Sequence, residues 1–153
     1  HVAYAFVAHR AVVDVDPDLG LIKVVQIATA QDVGRVLNPL AAMGQIEGGI
    51  AQGLGLAVME EIIVKDGKVR NPSFTDYLLP TFLDAPTVEM VFIEEHEPKS
   101  PLGAKGIGES GTIGSTPAVQ SAVIDALLHL GVRHIDMPTT PERVWSAIAG
   151  ASA

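Results

Sequence analysis

The stretch GAKGIGESGTIGSTP, residues 103–117, places one carboxylate, Glu109, among five glycines just before a predicted helix. Glycines let the backbone adopt positive φ angles and approach another body closely, at an entropic cost that a plain connection does not need. Ser115 or Thr116 could cap a helix with Pro117 in its first turn, and the free N–H groups at such a helix end favour an anion. The stretch therefore predicts a backbone cradle that holds one acid.

The same stretch contains a literal GxGxxG pattern at Gly106, Gly108 and Gly111. In a dinucleotide-binding fold these glycines directly follow a strand, and an acidic residue ends a second strand about 20 residues later. Here two prolines separate the preceding apolar run, residues 88–93, from the glycines, and no strand-like run leads to the acids that follow. The pattern therefore gives a dinucleotide-binding fold little support.

The composition indicates one apolar domain, residues 1–153, with an acidic surface. The chain is 48% hydrophobic and has a net charge of −8, so a sizeable core is possible and nucleic acid is not an expected partner. The absence of cysteine excludes disulfides, thiol nucleophiles and thiolate metal ligands. Neither a signal peptide nor a membrane span is evident, which indicates a cytoplasmic protein. Because the sequence begins without Met inside a strand-like run, we expect a fragment or a split-gene subunit.

Alternating hydrophobicity and turn signals predict an α+β fold. The predicted strands cover residues 2–15, 21–30, 60–64, 68–70 and 87–94. The predicted helices cover residues 40–59, 117–130 and 141–148. The turn at residues 16–20 and the Asp66-Gly67 pair each indicate a β-hairpin. We expect β-hairpins and a mixed sheet packed against a buried glycine-rich helix and a second helix after the glycine loop.

The glycine-rich helix predicted for residues 40–59 is almost entirely apolar and carries a single charge. Its length would suit a membrane span, but its five glycines, two glutamines and one carboxylate favour a buried helix in a soluble protein. Gly44 with Gly48, and Gly49 with Gly53, have the GxxxG spacing that permits close approach of another backbone or of a flat ligand. Helix packing and ligand approach both remain open interpretations of these glycines.

Glu109 is the best candidate for acid–base chemistry. A carboxylate held in a glycine loop against an apolar wall loses solvation and becomes a better proton acceptor. The alternative is a surface ion pair with Lys105, four residues earlier, which would not explain the surrounding glycines. Gln45 and Glu47 lie early in the glycine-rich helix, where a buried side chain could bind a cofactor or complete a polar network within the protein.

Other chemistries receive less support from the sequence. The five histidines are scattered without ligand spacing, so we expect no protein-ligated metal. Asp32, Arg35 and Asn38 form a polar cluster before a helix, in which Arg35 could hold an anion, although loop stabilisation is the more frequent role. The chain has no GxSxG nucleophile elbow, so hydrolase chemistry is disfavoured.

Four segments together resemble the C-terminal part of the molybdopterin-binding large subunit of the xanthine dehydrogenase, aldehyde oxidase and carbon monoxide dehydrogenase family, the molybdenum hydroxylases. These segments are DVGRVLNP (32–39), GQIEGGIAQGLGLAVMEE (44–61), PLGAKGIGESGTIGSTPAVQSAVIDAL (101–127) and DMPTTPERVWSAI (136–148). The form GESGTIG is similar to that of bacterial members, whose pterin usually carries a cytosine dinucleotide. The resemblance covers almost the whole chain.

The resemblance implies specific roles for several residues. Glu109 would be the catalytic base that removes a proton from a molybdenum-bound hydroxide. Oxygen from water would then attack an electron-poor carbon of an aldehyde, purine or N-heterocycle, while a hydride passes to a sulfido ligand. Gln45 would lie beside the molybdenum and the pterin. The loop against the cofactor would consist of Lys105, Gly106, Ile107 and Gly108.

The resemblance also implies partners that this chain does not include. The family's subunits are several times longer, so we expect the remainder of the molybdopterin-binding subunit to be a partner, together with an iron–sulfur subunit and a possible flavin subunit. Iron–sulfur clusters and FAD would belong to those partners, and the polypeptide alone would be an incomplete enzyme. A different hypothesis is a non-catalytic remnant that acts only as an interaction domain.

Overall fold

The computed structural model describes residues 3–151. Its strands are β1 (Phe6–Asp16), β2 (Leu21–Asp32), β3 (Val64–Lys65), β4 (Lys68–Val69) and β5 (Thr87–Ile93). Its helices are α1 (Pro39–Val58), α2 (Ser110–Leu127) and α3 (Pro141–Ala151), and a short 3₁₀ turn, Leu128–Leu130, follows α2. This confirms the predicted α+β class. Val2, at which the first predicted strand begins, lies outside the described residues.

The main sheet has three strands in the order β1-β2-β5. β1 and β2 form the predicted antiparallel hairpin, with a register shift between Val12 and Val13, and β5 lies parallel to β2. The sheet is therefore mixed, as the sequence predicts. β3 and β4 form the second predicted hairpin. Its turn residues Asp66 and Gly67 have φ angles of 54° and 71°, as expected for a two-residue Asp-Gly turn.

Two clusters of buried apolar side chains hold the helices on the sheet. The first joins β2 to α1 and α2 through Val24, Ile27, Ile46, Ile50, Leu54, Ala57 and Val119. The second lies at the other end of α2 and includes Val123, Leu127, Val132, Ile135 and Val144. α2 spans both clusters because its buried residues recur every four positions or so, at helical spacing.

Glycines let α1 and α2 approach each other closely. A Cβ at Gly49 would lie 3.0 Å from Gly111 Cα, and one at Gly111 would lie 2.8 Å from the Ile46 carbonyl oxygen. Thr112 Oγ1 also donates to the Gly49 carbonyl at 3.0 Å. Helix packing thus explains Gly49 and, through the side chain of Ser115, Gly53. At Gly44 and Gly48 a Cβ would meet no atom of residues 3–151 within 4 Å.

The predicted start of α2 is wrong by seven residues. The helix begins at Ser110, and Pro117 lies inside it. Ser115 is fully buried and does not cap the helix, and Thr116 Oγ1 donates to carbonyls of Thr112 and Gly53. The cause is tertiary packing: contacts of α2 with α1 and the sheet outweigh the poor helix propensity of glycine and proline. The expected positive φ occurs at Gly103 alone among the five glycines of the described loop.

The end of the second helix was predicted from the sequence. Gly131 ends the region of α2 in a left-handed conformation with φ of 87°, which confirms the predicted C-terminal stop. No helix within residues 3–151 combines the length and the hydropathy needed to cross a membrane.

Candidate functional site

A cleft of about 220 Å³ opens between the first turns of α1 and the loop that precedes α2. It brings together three residues predicted for the site, Gln45, Lys105 and Ile107, with the polar residues Arg35 and Asn38. The remaining lining is apolar and consists of Val33, Val36, Leu37, Ala41, Ala42 and Ala104. The described part of the chain has larger and more open depressions over α2 and α3, but those contain none of the predicted site residues.

The helix side of the cleft follows from local sequence. Asn38 has an extended backbone, φ −140° and ψ 97°, as expected for a residue before proline. Its side chain accepts a hydrogen bond from Ala41 N at 3.1 Å and caps α1, whose first residue is Pro39. The cap stabilises the helix end and fixes where α1 starts beside the cleft.

The loop side of the cleft is joined to the segment that follows β2. Lys105 N donates to the Val33 carbonyl at 2.9 Å, and Arg35 N donates to the Gly103 carbonyl at 2.8 Å. Gly34 and Gly103 both have positive φ, 60° and 70°. A side chain at Gly103 would also collide with the ring of His96. These two glycines are therefore required for the close approach of the two segments.

Lys105 forms a buried ion pair with Asp32. The distance from Lys105 Nζ to Asp32 Oδ2 is 2.6 Å, and the two side chains are only 7% and 11% exposed. The hydrogen bond from Lys105 lowers the pKa of Asp32 despite the opposing effect of burial, and the Gly34 N–H assists it. The alternative in which Lys105 pairs with Glu109 is therefore wrong for this chain.

Glu109 lies immediately before α2, where its carbonyl accepts a hydrogen bond from Ile113 N at 3.0 Å. Its side chain is exposed, and within residues 3–151 it makes no capping hydrogen bond to the helix. This chain therefore does not itself supply the apolar wall that the sequence analysis expects. Glu109 does not line the cleft, but Ile107, two residues earlier, does.

The neighbouring predicted residues are also open to their surroundings. Gly106 and Gly108 are exposed, and a Cβ at either position would meet no described atom within 4 Å. Gln45 and Glu47 are exposed on α1. The interpretation of these two side chains as part of a buried network is therefore wrong, and of the two only Gln45 lines the cleft.

A cluster of polar side chains from β1 and β2 lies beneath α2, and the sequence analysis did not predict it. His9 Nε2 lies 3.3 Å from Thr29 Oγ1 and 3.2 Å from Gln31 Nε2, which itself donates to Thr29 Oγ1 at 2.8 Å. The ring packs against the backbone of Gly114. Burial lowers the pKa of His9, and the Ser110 backbone partly offsets this effect. Strand alternation in β2 could have placed Thr29 and Gln31 on one face, but their pairing with His9 depends on the register.

Within residues 3–151, no cluster of three or more histidine, aspartate or glutamate side chains is arranged to hold a metal ion. The polar groups that the cleft offers are the side-chain amides of Gln45 and Asn38, the guanidinium group of Arg35 and the backbone. Such a site can contact the face of an organic ligand through its apolar lining and the ligand's polar edges through these groups.

Comparisons with known proteins point to one family. Residues 1–86 match the model of the molybdopterin cofactor-binding domain. The chain is 37% identical over 146 residues to the carbon monoxide dehydrogenase large chain of Hydrogenophaga pseudoflava, covering 95% of this chain and 18% of that protein. It is 42% identical over 137 residues to a putative xanthine dehydrogenase molybdenum-binding subunit of Escherichia coli strain K12, covering 87% of this chain and 18% of that protein.

The fold agrees with these sequence matches. The structure of reconstituted CO dehydrogenase from Oligotropha carboxidovorans superposes with a TM-score of 0.93 at 34% identity, over 97% of this chain and 19% of that chain. The present chain thus spans less than a fifth of the length of the relatives it matches.

Proposed function

This chain belongs to the molybdopterin-binding large-subunit family of the molybdenum hydroxylases, and from that membership we propose that it is one domain of the catalytic subunit of such an oxidoreductase. The enzyme would hydroxylate an electron-poor carbon of an aldehyde, purine or N-heterocycle with oxygen derived from water. The observation that supports this most directly is the cleft that Gln45, Lys105 and Ile107 share.

The residues around the cleft fit a molybdopterin cofactor. A flat ring system needs apolar surface and main chain that it can approach, and the cleft lining and the open backbone at Gly106 and Gly108 offer both. Gln45 offers an amide that can both donate and accept hydrogen bonds at the edge of the ring. When bound, the cofactor would supply the two-electron redox chemistry and the acidity of the reacting water. Its nucleotide form would be the cytosine dinucleotide.

Glu109 would act as the general base. Its exposed carboxylate can accept a proton from the water-derived nucleophile, and its backbone is fixed by the hydrogen bond that starts α2. We propose that the apolar wall that reduces its hydration comes from the remainder of the catalytic subunit. Closure of that wall over the carboxylate would exclude bulk water and strengthen the carboxylate as a proton acceptor.

Replacement of Glu109 by glutamine tests this role, because the amide has nearly the same shape but cannot accept the proton. In the assembled enzyme we expect Glu109→Gln to lower kcat at least about a hundredfold, the usual contribution of a positioned base. The molybdenum content, measured by elemental analysis, should not change. Glu47→Gln is the matched control, because Glu47 is an exposed carboxylate on α1 that does not line the cleft. Parent-like turnover of Glu109→Gln would contradict the assignment.

The partners would be the remainder of the molybdopterin-binding subunit and proteins that carry iron–sulfur clusters and FAD. Co-purification of the chain with such proteins, with molybdenum and iron found by elemental analysis, would support the proposal. A metal-free monomer that binds no partner would instead support the non-catalytic remnant.

A further inference from the structure

We infer that Asp32 is a positioning residue of the proposed cofactor site. Its carboxylate holds Lys105, and with it the loop that carries Lys105, at the wall of the cleft. Lys105 would then serve the cofactor through its main chain and hydrocarbon stem, while its ammonium group is committed to Asp32. This inference rests on the proposed function and assigns a role at the cofactor site to a residue that the sequence analysis named only as part of a polar cluster before α1.

The ion pair is too buried for Lys105 to turn toward a ligand without cost. The ammonium group lies 2.6 Å from Asp32 Oδ2, and Asp32 Oδ1 accepts a second hydrogen bond from Gly34 N at 3.2 Å. Both side chains are almost completely removed from solvent. Movement of Lys105 toward an anionic ligand would leave the Asp32 carboxylate charged and unpaired in a poorly hydrated site.

The same pair joins the two segments that form one side of the cleft. Val33 and Arg35 follow Asp32 by one and three residues, Ala104 directly precedes Lys105, and Ile107 follows it by two residues. All four line the cleft. Backbone hydrogen bonds connect the segments at Lys105 N to Val33 O and at Arg35 N to Gly103 O. The ion pair adds a side-chain connection between the same two segments, so its loss should change the shape of the cleft wall.

Direct binding of a cofactor phosphate by the Lys105 ammonium group makes the opposite prediction. In that case the Asp32 carboxylate competes with the anion for Lys105, and its neutralisation should preserve or increase cofactor content. If Asp32 positions the loop, its neutralisation should decrease cofactor content. The two roles therefore differ in the sign of the effect.

The experiment compares Asp32→Asn, Lys105→Met and the double variant Asp32→Asn/Lys105→Met in the assembled holoenzyme. The readouts are molybdenum per protein by elemental analysis and hydrogen exchange of the backbone amides of residues 102–108. We expect each single variant to lose about tenfold in cofactor content and to exchange faster in the loop, because each leaves one buried charge unpaired. The double variant should regain at least part of the content, because it removes both charges.

Glu94→Gln is the matched control. Glu94 is an exposed carboxylate whose Oε2 accepts a hydrogen bond from Val36 N at 2.9 Å, beside the same cleft. The amide oxygen of glutamine can accept the same bond, so this variant should keep its cofactor and its loop protection.

Several outcomes would overturn the inference. Parent-like or higher molybdenum content in Asp32→Asn would do so. Equal molybdenum content in Lys105→Met and in the double variant would also overturn it, and this comparison remains decisive if Asp32→Asn fails to fold.

A parent enzyme without molybdenum would instead contradict the proposed function. Hydrogen exchange of the loop would then still decide whether Asp32 holds the loop in place. Unchanged exchange in both single variants would show that it does not.

Discussion

Lys105 and Glu109 are four residues apart in sequence, yet the fold gives them different surroundings. The Lys105 side chain is almost buried and pairs with Asp32, which is 73 positions away, while Glu109 is exposed at the head of α2. Local spacing suggested an ion pair between Lys105 and Glu109, but the contact between two distant loops provides a better partner. The Lys105 ammonium group is therefore not available to form a salt bridge with the Glu109 carboxylate.

His9 is the residue from which a pH effect on stability is expected. Burial lowers its pKa from the ordinary value of 6.5, so the unfolded chain binds a proton at a higher pH than the folded chain. Stability should therefore fall as the pH drops below about 6.5 and continue to fall down to the lowered pKa, by at most about 1.4 kcal/mol per pH unit.

Hydrogen exchange of β1 and the first turns of α2 at pH 7 and pH 5.5 measures this effect in the assembled protein. In His9→Asn the titrating group is absent. The free energy of opening should therefore decrease less between pH 7 and pH 5.5 in this variant than in the parent. The intrinsic pH dependence of amide exchange is the same in both proteins and cancels in this comparison. Identical losses in the parent and in His9→Asn would show that another group is responsible.

At the scale of elements, the crossing of α1 and α2 determines the position of Glu109. One close backbone approach joins Gly49 and Ile46 on α1 to Gly111 on α2, two residues after Glu109. A shift of this crossing would move the first turn of α2, and with it the carboxylate, relative to Gln45. Glycine at the crossing is therefore important for the site as well as for packing.

Gly111→Ala tests this crossing, and Gly48→Ala is its control. The new Cβ at position 111 would lie 2.8 Å from the Ile46 carbonyl oxygen, so the backbones must separate. We expect a destabilisation of about 1–3 kcal/mol, the usual cost of overpacking. At position 48 the new Cβ meets no described atom, so the higher helix propensity of alanine should stabilise α1 by up to about 1 kcal/mol. Protection of α1 amides from exchange measures both changes, and equal protection in the two variants would contradict the packing explanation.

The elements differ in how far the sequence could predict them. The hairpins, the start of α1 and the stop at Gly131 depend on turn and cap residues, whose effects are local. Both hairpins and the stop were predicted, and the predicted start of α1 at residue 40 is one residue late. The first two turns of α2 were missed because glycine and proline disfavour a helix locally, whereas contacts with α1 and with the sheet stabilise one there. The cleft residues were proposed from the resemblance to a family. The pairing of Asp32 with Lys105 depends on how two distant loops meet, which neither spacing nor composition specifies.

At the scale of the whole molecule, a large apolar surface lies on the segment between β4 and β5. Five of its large apolar side chains are exposed, with Phe82 93% and Leu83 89% accessible. The other three are Phe74, Leu78 and Leu79. So many large apolar side chains exposed on one segment favour an interface. Because the chain spans less than a fifth of its relatives, the remainder of the catalytic subunit is the partner that we expect to cover it.

Hydroxyl-radical oxidation of Phe82 tests whether this segment is covered. We expect oxidation to be several-fold lower in the assembled protein than in the separately expressed chain, because coverage removes the ring from solvent. Phe92, which is partly buried against the first core cluster, should react equally in both samples and is the matched control. The separate chain should also bind a hydrophobic dye, and Phe82→Ser/Leu83→Ser should reduce that binding, since these are the two most exposed apolar side chains of the segment. Equal oxidation of Phe82 in both samples would mean that the segment faces solvent in the complete protein, and the partner would then have to bind through another surface.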